Sequence, residues 1–391
     1  MSNSFKTFLK HTAKDFHNQS VNPPVVRAST IIFKSMKDIR KTQAKAIKNP
    51  TGGHYDYGRQ GTSTTYILQK ILTKLEESYH VFTTPTGFGA VFLAIFSVTR
   101  PGDEIIVADP VYSPTRILTE NFLKEFNIKT TFYDPDDLKT LEKSITKKTK
   151  LIFVENPGSN SFDFQDLGKI ISIAKKHKIL TAMDNTWGTP YFLKPIKLGF
   201  DMAIVSATKY YSGHSDVMGG SLAVNKKVFP KVKAAERITG LRLGPDDAYL
   251  ITRGLRTLDV RLDRHRENAK KVAEFLSKNK KFKLLYPYKK DSYNFRMWKK
   301  YYSGASGLMG VQIKSKNVNS IRKFVNSLKL FGYGYSWGGF ESLALHQEFR
   351  ETGKRKYLKL KKDEHLVRFH IGLEDPSDLI ADIKQALKHL K

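Results

Sequence analysis

Met202-Ala203-Ile204-Val205-Ser206-Ala207-Thr208-Lys209-Tyr210 is a short apolar run that ends in small and hydroxylated residues and then a lysine. Similar runs surround it at Val81–Thr84, Glu104–Ala108, Thr130–Tyr133, Leu151–Glu155, Ile179–Asp184 and Ser221–Val224. Most are rich in Val, Ile or Phe, and amphipathic stretches such as Asp166–His177 lie between many of them. Short apolar runs alternating with helical periods predict an α/β fold: a mostly parallel seven-stranded sheet covered on both faces. Beyond about Gly254 the pattern changes. A long helical stretch, Leu255–Ser277, leads to strands at Gly307–Ile313 and Leu366–Ile371 and helices at Val318–Leu328 and Pro376–Lys388, which reads as a smaller α+β C-terminal domain. The first 60 or so residues are polar, with Pro23-Pro24, Asn49-Pro50 and Gly52-Gly53, and read as an extended arm. The expected division is residues 1–61, an arm; 62–254, the α/β domain; and 255–391, the C-terminal domain.

In open α/β sheets ligands collect outside the carboxyl ends of the strands. Lys209 stands just past such an end, and Asp184 closes the preceding run. An amine and an acid on one rim suit pyridoxal phosphate (PLP): the lysine forms a Schiff base with the aldehyde, and the acid keeps the pyridine nitrogen protonated. Taken singly, each has a plainer reading, Lys209 as a solvent-facing strand end and Asp184 as a turn or helix cap. Thr84-Pro85-Thr86-Gly87-Phe88-Gly89 precedes the apolar run Ala90–Phe96, so small residues open a helix whose free amides can face a phosphate, or simply form a glycine turn. Ser206 and Thr208 offer hydroxyls to the same phosphate. Tyr112, in Asp109-Pro110-Val111-Tyr112, sits on the same rim, either as a ring that stacks on a pyridine or as an ordinary turn tyrosine. Neither G-x-G-x-x-G nor G-x-x-x-x-G-K-[ST] is present, which argues against dinucleotide and P-loop sites.

The 391 residues carry 67 Lys and Arg against 37 Asp and Glu, a net charge of +30, and no cysteine. The missing thiols exclude disulfide scaffolds, thiolate zinc sites and Cys nucleophiles, and no metal is expected. The basic residues are scattered among acids rather than gathered in a block, so a dispersed basic surface is favoured over a nucleic-acid site. The N-terminal residues lack the apolar core of a secretory signal, and Ala90–Phe96 is far shorter than the roughly 20 residues that span a bilayer. A soluble cytoplasmic protein with no membrane partner is the expectation.

Over nearly the whole chain the sequence resembles the Cys/Met-metabolism family of PLP-dependent enzymes, and within it the cystathionine β-lyases. The resemblance runs through Tyr57-Gly58-Arg59-Gln60-Gly61-Thr62, Thr86-Gly87-Phe88, Tyr112 and Asp184-Asn185-Thr186-Trp187. It continues through Ser206-Ala207-Thr208-Lys209-Tyr210 with Gly213-His214-Ser215-Asp216, Arg253-Gly254-Leu255-Arg256-Thr257-Leu258 and Ser336-Trp337-Gly338-Gly339-Phe340-Glu341-Ser342. It closes on Arg368-Phe369-His370-Ile371-Gly372-Leu373-Glu374-Asp375. It implies the aspartate-aminotransferase-like architecture, PLP fold type I, with active sites shared between two subunits and dimers pairing into tetramers. By similarity Lys209 is the Schiff-base lysine, Asp184 pairs with the pyridinium, Tyr112 stacks over the ring, and Gly87, Phe88, Ser206 and Thr208 surround the phosphate. Tyr57 and Arg59 match an arm that reaches the neighbouring subunit's phosphate.

Arg368 matches the arginine that grips the substrate α-carboxylate, a role suited to a planar guanidinium. From local sequence alone it reads equally as a strand-edge surface residue. Ser336 and Trp337 match the lining of the same pocket, and a tryptophan there is typical of the β-lyase branch. The resemblance therefore implies α,β-elimination of L-cystathionine to homocysteine, pyruvate and ammonia in methionine biosynthesis, with breadth toward other cysteine S-conjugates. Slow alanine racemisation, with Tyr112 as a second acid, is a further expectation. The alternatives are a γ-lyase or γ-synthase and, more distantly, a basic nucleic-acid-binding protein without catalysis. Two positions depart from the family pattern: Phe88 stands where methionine is common, and Arg237 where β-lyase relatives can carry an aromatic residue near the distal end of cystathionine.

Overall fold

The computed structural model describes residues 4–12, 19–287, 292–348, 355–357 and 360–390. Its larger sheet has seven strands: β1 (His80–Thr84), β2 (Glu104–Ala108), β3 (Lys129–Tyr133), β4 (Thr149–Glu155), β5 (Leu180–Asp184), β6 (Met202–Ser206) and β7 (Gly220–Val224). Their order is β1-β7-β6-β5-β4-β2-β3. The pairs from β6 through β5, β4 and β2 to β3 are parallel, whereas β7 runs antiparallel to both its neighbours. All seven runs expected from the sequence are strands. Their inward residues on both faces are buried, because crossover helices cover each side of a parallel sheet. The helix Gly87–Val98 is apolar around most of its circumference and lies inside one of these layers.

The second sheet has four strands, β8 (Phe282–Leu285), β9 (Leu308–Lys314), β10 (Leu343–Gln347) and β11 (Glu364–His370), all pairs antiparallel in the order β10-β11-β9-β8. The sequence reading located β9 and β11 but not β8 or β10. Those two are the edge strands, four and five residues long, and runs so short carry too little period to separate a strand from a turn or a helix end. The helix Leu258–Ser277 joins the two halves. Leu258 and Leu262 pack into the core around the large sheet, and Ala269, Val272, Ala273 and Leu276 pack into the core around the small one.

The N-terminal stretch is more regular than its composition suggests. Phe5–His11 is a helix whose Leu9 is fully buried in the large-sheet core and whose Lys6 and Lys10 pair with Asp263 and Asp259 on the long helix. Met36–Lys48 is a second helix, capped by the Ser35 side chain. The first spans only seven residues and the second buries none of its own, so neither shows a clear apolar period in the sequence. No helix among the described residues is long and apolar enough to cross a membrane.

Three rings, Phe164, Trp187 and Tyr302, meet edge to face with centroids 5.6 Å apart, and the Trp187 indole donates to the Leu308 carbonyl of β9 at 2.9 Å. The buried Tyr302 hydroxyl accepts from Asn156 Nδ2 at 3.0 Å and donates to the Asn156 carbonyl at 2.6 Å. Tyr302→Phe leaves both Asn156 groups without that partner in a dry site. It should cost about 1–3 kcal/mol, read as a lower midpoint in thermal or urea unfolding.

Candidate active site

The carboxyl ends of β5 and β6 converge on one floor. Asp184 ends β5, and its Oδ1 accepts from the Thr186 amide at 2.9 Å and the Thr186 hydroxyl at 2.6 Å. The same hydroxyl accepts from the Ser206 amide of β6 at 2.9 Å, so one threonine ties the acid to the strand that leads to the lysine. Burial raises the Asp184 carboxyl, while the Thr186 donors and the Lys209 ammonium oppose that rise. Burial lowers the Lys209 amine to about 8, helped by the Arg368 guanidinium and opposed by Asp184. Lys209 and Asp184 thus lie within electrostatic reach of each other in one cleft.

Lys209 is held from three sides. Its Nζ donates to Ser336 Oγ at 2.6 Å and lies 5.4 Å from the centroid of the Trp337 ring. The turn that follows it is clamped by Arg261 of the long helix, whose Nη1 donates to the Tyr210 carbonyl at 2.8 Å and Nη2 to the Gly254 carbonyl at 2.7 Å. Across the cleft, Gly338 has φ +90°, and a Cβ there would stand 3.0 Å from Lys209 backbone atoms. Ser336 itself adopts φ +69°, a left-handed conformation that is strained for a residue with a side chain and that lets it meet both Lys209 and Arg368.

Arg368 comes from β11 of the small sheet. Its Nη2 donates to the carbonyls of Ser336 at 2.9 Å and Gly334 at 3.1 Å, and burial brings the guanidinium down to about 10. No Asp or Glu pairs with it among the described residues, so a buried cation is left to meet a carboxylate from outside. Tyr112 caps the helix Ser113–Ile117, and burial, reinforced by Glu155 and Asp184, raises its phenol.

Gly87 opens the helix Gly87–Val98 beneath the N-cap Thr86, whose hydroxyl accepts from Gly89. A Cβ on Gly87 would come within 2.4 Å of Ser206 Oγ. The N-terminus of this helix, where the first amides have no partner within the helix, and the Ser206 hydroxyl thus border one gap that tolerates no side chain on Gly87, a place that suits a phosphate. Phe88 is half-exposed, consistent with a backbone contribution there. The Thr208 hydroxyl accepts from the Gly219 amide at 3.0 Å, which orients it at the same strand end. An acid for a ring nitrogen, an amine for an aldehyde and an amide cradle for a phosphate fit PLP.

Tyr57 and Arg59 lie elsewhere. Arg59 Nη1 donates to the Arg237 carbonyl at 3.0 Å, Tyr57 is half-exposed, and no contact joins either to Lys209 among the described residues. The Arg237 side chain is exposed at the end of the helix Phe229–Thr239. Two residues that contact the site were given no role from the sequence, Thr186 and Glu155. The latter ends β4 in register with Asp184, and the charge that closes its apolar run is the same signal that singled out Asp184.

The fold and site define a PLP-dependent enzyme of fold type I. The profile of the Cys/Met metabolism PLP-dependent enzymes matches residues 6–388. A cystathionine β-lyase of Bordetella avium is 36% identical over 370 residues, 94% of this chain and 92% of its own length. An L-alanine/L-glutamate racemase of Wolbachia pipientis wMel is 35% identical over 379 residues, 95% of this chain and 93% of its own. The crystal structure of cystathionine γ-synthase from Xanthomonas oryzae pv. oryzae, in complex with aminoacrylate and cysteine, superposes with a TM-score of 0.90 at 28% identity, covering 100% of this chain and 99% of that one. The chain belongs to the Cys/Met-metabolism family of PLP-dependent enzymes, and its class is that of a PLP-dependent carbon–sulfur lyase.

Gly87→Ala should weaken PLP binding about tenfold or more, equivalent to at least ~1.4 kcal/mol, because its methyl group collides with Ser206. Titration of the apoprotein with PLP, followed by visible absorbance, measures the loss, and an unchanged circular dichroism spectrum separates it from misfolding.

Proposed function

We propose that the chain cleaves the Cβ–S bond of L-cystathionine, releasing homocysteine, pyruvate and ammonia. The observation that carries this reading is the buried Arg368 guanidinium, without an acidic partner among the described residues, set across one cleft from an amine brought down to about 8. That pair suits an α-amino acid whose carboxylate is gripped while its Cα proton is removed. Trp337 beside Lys209, together with relatives named cystathionine β-lyase, supports β over γ cleavage.

When bound, PLP supplies an electrophilic aldehyde and an electron-accepting ring. Asp184 is the group to hold the ring nitrogen's proton, with Thr186 fixing its carboxylate. Gly87, Phe88, Ser206 and Thr208 are the groups to hold the phosphate, and Tyr112 to cover the ring. Arg368 binds the substrate α-carboxylate through parallel hydrogen bonds and so orients the Cα–H bond toward Lys209. The Lys209 amine removes that proton and then gives it to the departing sulfur, with Ser336 Oγ, 2.6 Å away, steadying Nζ between the two transfers. The three-carbon fragment hydrolyses to pyruvate and ammonia.

Tyr57 and Arg59, which make no contact with their own chain's Lys209 among the described residues, are read as completing the phosphate site of a second copy. Such sharing makes a homodimer the smallest active unit, with pairing into tetramers as the expected assembly. A cytoplasmic location and a place in methionine biosynthesis follow from this reading. A second reading has a specific support, the racemase relative: with alanine, which lacks a leaving group, the Cα proton can only be returned, and Tyr112 would be the second acid, one that returns it with inversion.

The deciding experiment incubates the PLP-loaded enzyme with L-cystathionine and identifies the keto acid. Pyruvate is expected; 2-oxobutyrate assigns γ cleavage instead, and D-alanine formed from L-alanine at a faster turnover favours the racemase. Lys209→Ala should lose at least ~10³-fold in kcat, while Arg368→Ala should chiefly raise KM, by about tenfold or more. Because the base is the freed, neutral amine, which burial holds below the usual lysine range, kcat should climb as pH rises through that amine's titration and then level off.

A further inference from the structure

Glu155 is the last residue of β4, and in the parallel pairing of β4 with β5 its Cα partner is Asp184. Two carboxyl groups therefore emerge side by side at the floor of the cleft. Only Asp184 is embraced by Thr186, which donates to it through both its amide and its hydroxyl. Glu155 reaches the other way: its Oε2 accepts from the Tyr112 amide at 2.6 Å, across 43 positions of sequence. Its β4 neighbourhood is itself pinned, since Gln165 Nε2 donates to the Glu155 carbonyl at 3.1 Å.

We propose that Glu155 is a positioning residue of this site: it anchors the Tyr112 loop through the backbone amide, and by carrying a proton it leaves Asp184 as the anion of the pair. This rests on the reading of Asp184 and Tyr112 as the groups that face the coenzyme. Two ionised carboxylates at adjacent strand ends repel, so one keeps its proton. The donors on Asp184 favour its ionised form. Burial, and then the Asp184 charge, push Glu155 up to about 8, against the pull of the Tyr112 amide, the Arg355 guanidinium and the Ser159 hydroxyl. The titratable groups around Glu155 are thus Asp184 on β5, Tyr112 ahead of the helix Ser113–Ile117, and Arg355 in the segment 355–357. A neutral Glu155 does not compete with Asp184 for a cation. An ionised one adds a second negative charge beside it.

The folded chain then holds a proton that the unfolded chain releases near pH 4.5, so the stability contributed by Glu155 falls as pH rises from about 4.5 to about 8 and is constant above. Glu155→Gln removes the titration yet keeps an oxygen for the Tyr112 amide, and Glu155→Ala removes both. For the PLP-loaded enzyme, the thermal midpoint of Glu155→Gln minus that of the parent should increase by about 2 °C or more between pH 5.5 and 8.5. A difference constant with pH overturns the proton-carrying role. In steady-state assays near pH 7, Glu155→Gln should stay within about threefold of the parent in kcat, while Glu155→Ala should lose about tenfold or more in kcat with a smaller change in KM. Equal activity of the two variants overturns the anchoring role. The visible colour of the parent separates this inference from the reading beneath it: a colourless parent defeats the coenzyme assignment, whereas a yellow parent with unmoved melting differences defeats only the role of Glu155.

Discussion

An acid and an amine buried at the carboxyl ends of two adjacent parallel strands are the constraint on which the rest of this structure depends. Neither charge is comfortable in that position alone. Burial raises Asp184 and lowers Lys209, and each partly offsets the other. The β5–β6 pairing supplies the approach, and Thr186 makes it rigid by bonding to Asp184 on one side and to the Ser206 amide on the other. The end of β6 borders the helix Gly87–Val98, whose first residue lies against Ser206 so closely that no side chain fits between them. Acid, amine and anion cradle are therefore fixed by one sheet edge rather than by mobile loops, which is what a reaction needing a coenzyme and a Cα–H bond in one orientation requires.

The second half of the molecule supplies what the large sheet lacks. Arg368 and the Ser336–Gly338 turn belong to the small sheet and its connections, and they close over Lys209 from across the cleft. This closure depends on the long helix Leu258–Ser277, which packs into both cores and sends Arg261 to the backbone just after Lys209. Ser336 meets both cations only in a left-handed conformation, a local strain at the point where the two halves touch.

Much of the fold was legible because a parallel sheet buried on both faces forces near-continuous apolar runs, and seven of these stood out between Val81 and Val224. The family resemblance and the fold type it implied agree with the matched profile and the superposed structures. The edge strands β8 and β10 were not legible because runs of four and five residues are too short to carry a period of their own. The N-terminal helix was not legible because it spans only seven residues, and Phe5, Phe8 and Leu9 dock on a core assembled from distant segments. Around the site, Lys209, Asp184 and Tyr112 showed as polar residues closing apolar runs. Glu155 satisfied the same criterion, yet with no partner visible in the sequence it passed for an ordinary strand end.

The sequence by itself determined the alternation of strands and helices, the rim on which reactive side chains stand, and the motifs that place the chain in its family, because all three are written in local pattern. Only the tertiary structure decided which distant groups meet: Glu155 with the Tyr112 amide, Lys209 with Ser336, and a buried Arg368 with the carbonyls of Gly334 and Ser336. The physical reason is that burial and electrostatic coupling depend on distances between atoms far apart along the chain, and strand register, not sequence spacing, sets those distances.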